Sequence, residues 1–259
     1  MNELPEELFV DPVWHALNTR HRRLAIAKGD ACRYPNDVAP FAAVAKRTEA
    51  ALLQLHALLV PGESVWLAGT SYPDIPELCN EGTLECAQMV LPKELPEKPS
   101  AVELERLIAT DSAAMVALTD VAFPGFFRSR TYEMGTYYGV RMDTAEMDMA
   151  QASRRPAAVS GPPAAAKPPL MAMAGERLCL DGYSEISGVC THPQHRGKGL
   201  AASLIARVAR DHREQGVVSF LHVTTTNTNA INLYLRLGFV ETGRITLTRI
   251  SRADLPQRS

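Results

Sequence analysis

The sequence predicts an α/β protein in two parts, because helical patterns alternate with short strand candidates on both sides of a proline-rich linker. Residues 91–101, LPKELPEKPSA, contain three prolines, which exclude a continuous helix and a central strand. We expect a smaller α/β domain over residues 1–93, a linker over 94–101 and a larger domain over 102–259. A second stretch, residues 143–169, is rich in alanine and proline and is predicted to be a flexible insertion in the larger domain.

The smaller domain is predicted from helical patterns over residues 12–28 and 38–60, followed by strand candidates at 64–68 and 85–90. In the larger domain, strand candidates span residues 102–107, 136–142, 170–180 and 183–191, with a helix from 111 to 121. Residues 197–215 carry an apolar stripe and stop at Gly216, which predicts a long amphipathic helix. A strand at 217–223, a helix at 230–237 and one or two strands over 240–250 complete the expected order.

The composition is ordinary for a soluble globular protein, with 46% hydrophobic and 22% charged residues. A formal net charge of −2 gives no electrostatic reason to expect a nucleic acid or an anionic membrane as a partner. The five cysteines show neither a C-x-x-C pair nor zinc-site spacing, so we expect reduced thiols. The acidic N-terminus and the lack of a long apolar run predict a cytoplasmic location.

The segment 191–202, THPQHRGKGLAA, joins a strand to the long helix through a turn with two glycines and two basic residues. Gly197 and Gly199 lack the Cβ atoms that would keep a ligand from the backbone, and the first helical turn offers unpaired N–H groups with positive dipole character. Arg196 and Lys198 add positive charge. These features are typical of a phosphate or pyrophosphate site, with a glycine turn that binds nothing as the alternative.

Two other phosphate motifs fit this turn poorly. A P-loop requires Ser or Thr directly after its lysine, whereas Gly199 follows Lys198. Residues 197–202 satisfy the dinucleotide pattern G-x-G-x-x-[GA], but the acidic residue expected about 20 positions later is missing from residues 216–223.

Two segments together resemble the GNAT superfamily of acyl-CoA-dependent acyltransferases. Gln194-x-x-Gly197-x-Gly199 matches the pyrophosphate loop of that family, and a second match runs from Asn227 through Tyr234 to Phe239. The string ISGVCTHPQHRGKGLA also resembles a small subgroup that includes relatives of glycine N-acyltransferase. The resemblance covers about residues 102–250 and implies a GNAT fold, in which a mixed, mostly antiparallel sheet is flanked by helices. It also implies acetyl-CoA as acyl donor, an amine as acceptor and no metal.

The resemblance implies roles for the residues around the loop. In this family the pantetheine arm lies in a gap beside the strand that precedes the loop, and a main-chain N–H, here that of Val189, stabilises the oxyanion. Transfer is direct, so Cys190 is not required as a nucleophile. The expected cofactor-binding residues are Val189, Cys190, Thr191, Gln194, His195, Arg196, Gly197, Lys198, Gly199, Leu200, Ala201 and Asn227.

The resemblance also suggests catalytic groups, each with a structural alternative. Tyr234 is expected to protonate the departing thiolate, unless its ring serves only core packing. Glu185 is the candidate base, because the family often carries a carboxylate there; a solvated strand carboxylate is the alternative. Asn227 either contacts the cofactor or caps a helix, a role for which Asn229 is the rival.

The segment FPGFFRSR follows the first helix of the second domain, where family members place a loop over the acceptor. Phe126, Phe127 and Arg128 are therefore expected to shape the acceptor pocket, or else to cover the core. The predicted function is an N-acetyltransferase acting on a primary amine of a small molecule, amino acid or peptide. A catalytically weak acyl-CoA sensor is the alternative, and a third hypothesis makes residues 1–93 a degenerate copy of the fold that serves dimerisation or acceptor binding.

Overall fold

A computed structural model describes residues 6–92, 95, 102–122, 124–142 and 167–253. The elements before residue 92 are α1 (Glu6–Val10), α2 (Pro12–Asn18), β1 (Ile26–Lys28), β2 (Ala31–Arg33), β3 (Ala42–Val44), α3 (Glu49–His56), β4 (Ser64–Ala68) and β5 (Leu78–Val90). The elements after residue 102 are β6 (Glu105–Leu107), α4 (Ser112–Ala122), β7 (Tyr137–Arg141), β8 (Leu170–Leu180), β9 (Tyr183–Thr191), α5 (Leu200–Glu214), β10 (Val218–Thr224), α6 (Thr228–Arg236) and β11 (Val240–Arg252).

One eight-stranded sheet organises both halves of the described chain, in the order β4-β11-β5-β10-β9-β8-β7-β6. Neighbouring strands pair antiparallel, except that β9 and β10 run parallel. Strands β1, β2 and β3 form a separate small sheet. The predicted fold class, a mixed and mostly antiparallel sheet flanked by helices, is confirmed.

The structure differs from the predicted division at residue 93. Strand β5 lies between β10 and β11, and its last residue, Val90, pairs with Phe220 on one side and Val240 on the other. Ala87 and Met89 of β5 pack in the same core as Leu204 of α5. Residues 64–90 therefore complete the main sheet, and of the described strands before residue 93 only β1, β2 and β3 lie outside it. The linker at 94–101 and the insertion at 143–169 lie outside the described residues, apart from residue 95 and residues 167–169.

The two long helices predicted before residue 60 are much shorter in the structure. Helix α2 ends at Asn18, and the chain then turns into the extended strands β1 and β2. Helix α3 begins only after Thr48, whose hydroxyl accepts a hydrogen bond from the Ala51 N–H at 3.3 Å. Short apolar stretches such as β3 are buried on every side, so their periodicity does not distinguish a strand from a helix.

Helices cover both faces of the main sheet around its centre. Along β10, Leu221 and Val223 pack with α5 and α6, whereas Phe220 packs with α1 and α2. Along β8, Ala172 faces α5 and Met173 faces α4. Because side chains alternate along a strand, α5 and α6 lie on one face and α2 and α4 on the other. Among the described helices, none has the length and apolar character needed to cross a membrane.

Candidate active site

A gap opens in the main sheet where its two parallel strands separate. The pairing of β10 with β9 ends at Phe220 and Glu185. Beyond that point β10 continues to pair only with β5, as far as Thr224. The gap is part of a cavity of about 670 Å³ that is lined by residues 186–191 of β9 and 222–224 of β10.

The cavity passes through the sheet from one helical face to the other. Leu200 of α5 and Tyr234 of α6 line it on the first face, and Val13 of α2 and Phe126, which follows α4, line it on the second. Residues of two strands and of helices on both faces therefore border this gap. The lining of the cavity comes from both faces of the sheet.

A β-bulge shapes the β9 wall of the cavity. Between the pairs Met173–Cys190 and Gly175–Ser187, Ala174 alone faces Gly188 and Val189. Gly188 has a φ of 62°, a left-handed conformation that favours glycine. A bulge leaves one residue out of the regular ladder and re-aims the neighbouring groups. Val189 was predicted from the sequence and Gly188 was not, although an isolated glycine inside a strand pattern indicates a bulge.

The glycine turn borders the cavity on the α5 side. Gly197 and Gly199 have φ values of 79° and 78°, and no atom lies within 4 Å of a Cβ built on either residue. Gly199 caps α5 without a side-chain hydrogen bond, so the helix itself leaves the N–H groups of its first turn, at Leu200 and Ala201, unpaired. Arg196 also lines this end. The donor set fits a pyrophosphate group, which needs main-chain N–H donors and positive charge.

The structure gathers most of the predicted cofactor-binding residues around this cavity. Gln194 and Lys198 do not line it, although the Lys198 Nζ atom lies 3.5 Å from the Nδ1 atom of His195, which does. The Asn227 side chain accepts a hydrogen bond from the Ala230 N–H at 3.2 Å, so Asn227, not its rival, caps α6. The predicted residues that line the cavity are Val189, Cys190, Thr191, His195, Arg196, Gly197, Gly199, Leu200, Ala201 and Asn227.

Tyr234 lines the cavity and also packs in the core, with its ring 5.8 Å from that of Phe239. No hydrogen bond joins its hydroxyl to another residue that the structure describes. Burial raises the pKa of this phenol to about 12, so it keeps its proton at neutral pH. The core packing and the acid role are therefore compatible.

Cys190 also lines the cavity, and its environment argues against a nucleophile. Burial raises the pKa of its thiol to about 12. The thiolate, which is the nucleophilic form, is therefore scarce at neutral pH.

Glu185 has a different place from the one predicted. It is fully buried and does not line the cavity, and its carboxylate accepts hydrogen bonds from Arg177 at 2.8 and 2.6 Å and from His222 at 2.8 Å. Burial by itself raises the pKa of this carboxyl, but the Arg177 charge and the bonds from Arg177 and His222 outweigh burial and hold it at about 2. Glu185 is therefore not a solvated strand carboxylate, and its geometry argues against direct proton transfer from a substrate amine.

Two residues that bind Glu185, namely Arg177 and His222, line the cavity and were missed by sequence analysis. The Gln88 amide nitrogen lies 2.8 Å from the Phe9 carbonyl oxygen and 3.2 Å from the His222 Nε2 atom. An amide N–H donor at Nε2 and a carboxylate at Nδ1 favour the tautomer that carries its proton on Nδ1. No local motif marks these residues, because only strand pairing brings them together.

Of the three predicted acceptor residues, only Phe126 lines the cavity. Phe127 is buried against Tyr137, with ring centroids 5.5 Å apart in an edge-to-face arrangement. The main-chain N–H of Arg128 donates to the Thr131 hydroxyl at 2.7 Å and helps to close the turn. Within the described residues, no group of three or more His, Cys, Asp or Glu side chains is placed to hold a metal ion.

Comparison with known proteins identifies the family to which the chain belongs. The chain is 30% identical to a putative acetyltransferase from the GNAT family of Novosphingobium aromaticivorans DSM 12444, over 95% of this chain and 98% of that chain, with a TM-score of 0.78. The chain belongs to the GNAT family. A GCN5-related N-acetyltransferase from Kribbella flavida, 18% identical over 97% of this chain and 96% of its own, shares the fold with a TM-score of 0.57.

Two further matches each cover only part of this GNAT protein. The family model of FR47-like protein matches residues 166–247, which contain the bulge, the glycine turn and Tyr234. N-acetyltransferase 8F1 of Rattus norvegicus is 40% identical over 60 residues, which is 23% of this chain and 27% of that relative. Membership of the GNAT family supports N-acyl transfer in general and implies an acyl-CoA donor.

Proposed function

We propose that this GNAT protein transfers an acetyl group from acetyl-CoA to a primary amine by direct attack of the amine on the thioester. The observation that carries the proposal is the cavity through the sheet. The open glycine turn lies at the α5 side of the cavity, and Tyr234, whose phenol keeps its proton, lines it. A donor bound at the glycine turn and an acceptor entering from the α2 side would meet in the gap between β9 and β10.

Residues on both sides of the gap would hold the donor. Gly197, Gly199 and the first-turn N–H groups of α5 bind the pyrophosphate, with positive charge from Arg196. Acetyl-CoA supplies the acyl group as a thioester and a thiol as the leaving group. Val189 lies in the bulge and lines the cavity, where its main-chain N–H would stabilise developing negative charge on the acyl oxygen. Tyr234 then protonates the departing sulfur.

The acceptor amine must lose its proton before it attacks. Arg177 and His222 line the cavity, whereas none of its described lining residues is Asp or Glu. An apolar wall and a neighbouring cation both disfavour an ammonium group and lower the pKa of a bound amine. The site therefore favours the neutral amine, so water can accept the proton without a strong protein base.

A coupled assay tests the proposal. Purified protein would be incubated with acetyl-CoA and a panel of amines, amino acids and peptides, and CoA thiol release would be followed together with mass-spectrometric detection of N-acetyl products. We expect amine-dependent thiol release with a product heavier by one acetyl group. Acetyl-CoA binding without any product across the panel would contradict the proposal and favour an acyl-CoA sensor.

A further inference from the structure

The cavity has a distinct apolar end on the α2 face of the sheet. Residues before position 45 build part of this end, so the first part of the chain contributes directly to the site. The lining residues on this face include Pro12, Val13, Phe41, Phe126, Leu178 and Leu247. Arg177 lies beside the Phe41 ring and also lines the cavity.

The aromatic residues at this end form a stack with nearly parallel rings. Phe126 lies 6.0 Å from Phe41 at an interplanar angle of 25°, and 5.8 Å from Trp66 at 27°. Phe41 is 3% exposed, and the Arg177 guanidinium carbon lies 5.0 Å from the centre of its ring. Packing from two sides therefore fixes the ring of Phe41. Such a wall contacts flat apolar groups through offset or edge-to-face ring packing.

The side chains that line this end are either cationic, as in Arg177, or uncharged. The Arg177 side chain is 16% exposed, and the carboxylate that neutralises it, Glu185, is 0% exposed and already bonded to Arg177 and His222. None of the described residues that line the cavity is acidic. A second ammonium group on the acceptor would therefore enter beside a guanidinium without a free counter-ion, which is unfavourable in a partly desolvated site.

We infer that the acceptor is a monoamine with a flat apolar body, and that Phe41 and Phe126 determine this specificity. The inference rests on the proposed function, because it takes the α2 end of the cavity as the acceptor side. The apolar body packs against the two rings, and the reacting amine is the only cationic group of the acceptor. This arrangement also gives a function to the residues before β4.

Three matched amines test this acceptor class at saturating acetyl-CoA: phenethylamine, pentylamine and cadaverine. Pentylamine and cadaverine share a five-carbon chain and differ by the second amine. We expect kcat/KM for phenethylamine to exceed that for pentylamine by about 2- to 10-fold, the range of an added aromatic contact. We expect kcat/KM for pentylamine to exceed kcat/KM for cadaverine by at least about tenfold. If cadaverine were acetylated as well as pentylamine or better, the inference would be overturned while the proposed function stayed intact.

A pair of neighbouring phenylalanines supplies the variant and its control. Phe126→Leu should lower kcat/KM for phenethylamine by about 2- to 10-fold, with little change for pentylamine or in KM for acetyl-CoA. Phe127→Leu, which alters a ring outside the cavity, should leave the preference between the two amines unchanged. An equal loss for both amines in Phe126→Leu would refute a role in specificity.

Product binding separates a failure of this inference from a failure of the proposed function. If no amine is acetylated, calorimetry would compare N-acetylphenethylamine with N-acetylpentylamine on the CoA-saturated parent and Phe126→Leu proteins. Tighter binding of the aromatic product, lost in Phe126→Leu, would support the acceptor wall even though the catalytic proposal had failed. Equal binding, or no binding of either product, would overturn the inference.

Discussion

Replacing Glu185 by glutamine removes the negative charge that neutralises Arg177 beside the cavity. Glutamine has nearly the same shape, so the change tests charge more than packing. Glu185 is 0% exposed and the Arg177 side chain is 16% exposed, so the guanidinium that remains would have little access to water. The variant therefore separates two roles for this carboxylate, stabilisation of the site and proton transfer.

The size of the effect follows from the pKa of Glu185. The surrounding cation and hydrogen bonds outweigh burial and lower it from 4.5 to about 2. At 1.36 kcal/mol for each pKa unit, this corresponds to about 3 kcal/mol of folding stability. Removing one partner of a buried ion pair costs a similar amount, about 3 to 5 kcal/mol. Because the folded pKa is depressed, this stability is fully present above about pH 4.5 and is lost as the pH falls towards 2.

Urea unfolding at pH 7, followed by circular dichroism, measures this change. We expect Glu185→Gln to lower the free energy of unfolding by about 3 kcal/mol and Tm by roughly 6 to 12 °C. Glu241→Gln is the control, because Glu241 pairs at the surface with Arg244 and should change the free energy by less than about 0.5 kcal/mol. Unchanged stability together with a loss of about 100-fold or more in kcat would refute this reasoning and restore Glu185 as the base.

Three other variants test separate parts of the site. Tyr234→Phe should lower kcat by about 100-fold or more with little change in KM for acetyl-CoA, and equal kcat values would exclude the acid role. Cys190→Ala should keep kcat within a few-fold of the parent, whereas a 100-fold loss would indicate a nucleophile. Gly188→Val forces a β-branched residue to a φ of 62°, with its Cβ 3.1 Å from the Tyr137 ring, so urea unfolding should show a loss of at least about 1 kcal/mol. Unchanged stability would contradict the left-handed conformation of residue 188.

Local signals in the sequence predicted the elements around the cofactor loop well. Strands β8 and β9 have the predicted bounds, and the long helix lies within the predicted range and ends before Gly216, which has a φ of 70°. These elements carry period-2 or period-3.6 patterns with glycine at their ends, so neighbouring residues suffice to define them. The same locality explains why one segment sufficed to predict the glycine turn.

Features that depend on long-range pairing were missed. Nothing in residues 78–90 indicates that β5 inserts between β10 and β11, because strand order is set by contacts across more than a hundred residues. The bonds of Glu185 to Arg177 and His222 depend on the packing of three strands. Phe41 lines the cavity. The helical pattern over residues 38–60 had predicted a helix around it, so this position was not expected. A homodimer and a cytoplasmic location stay predictions.

Acetyl-CoA binding measured by isothermal titration calorimetry tests the central claim most directly. The parent protein should bind acetyl-CoA, and Gly197→Glu should weaken binding at least tenfold, about 1.4 kcal/mol, because its side chain brings negative charge to the pyrophosphate position. Gly182→Glu is the matched control, because Gly182 has the same φ of 79° and also leaves open space where a Cβ would be added, but lies at the other end of β9. Weakened binding in Gly197→Glu alone is the predicted result. Equal affinity in the parent and Gly197→Glu, with both folded, would contradict the assignment of the cavity as the acyl-donor site.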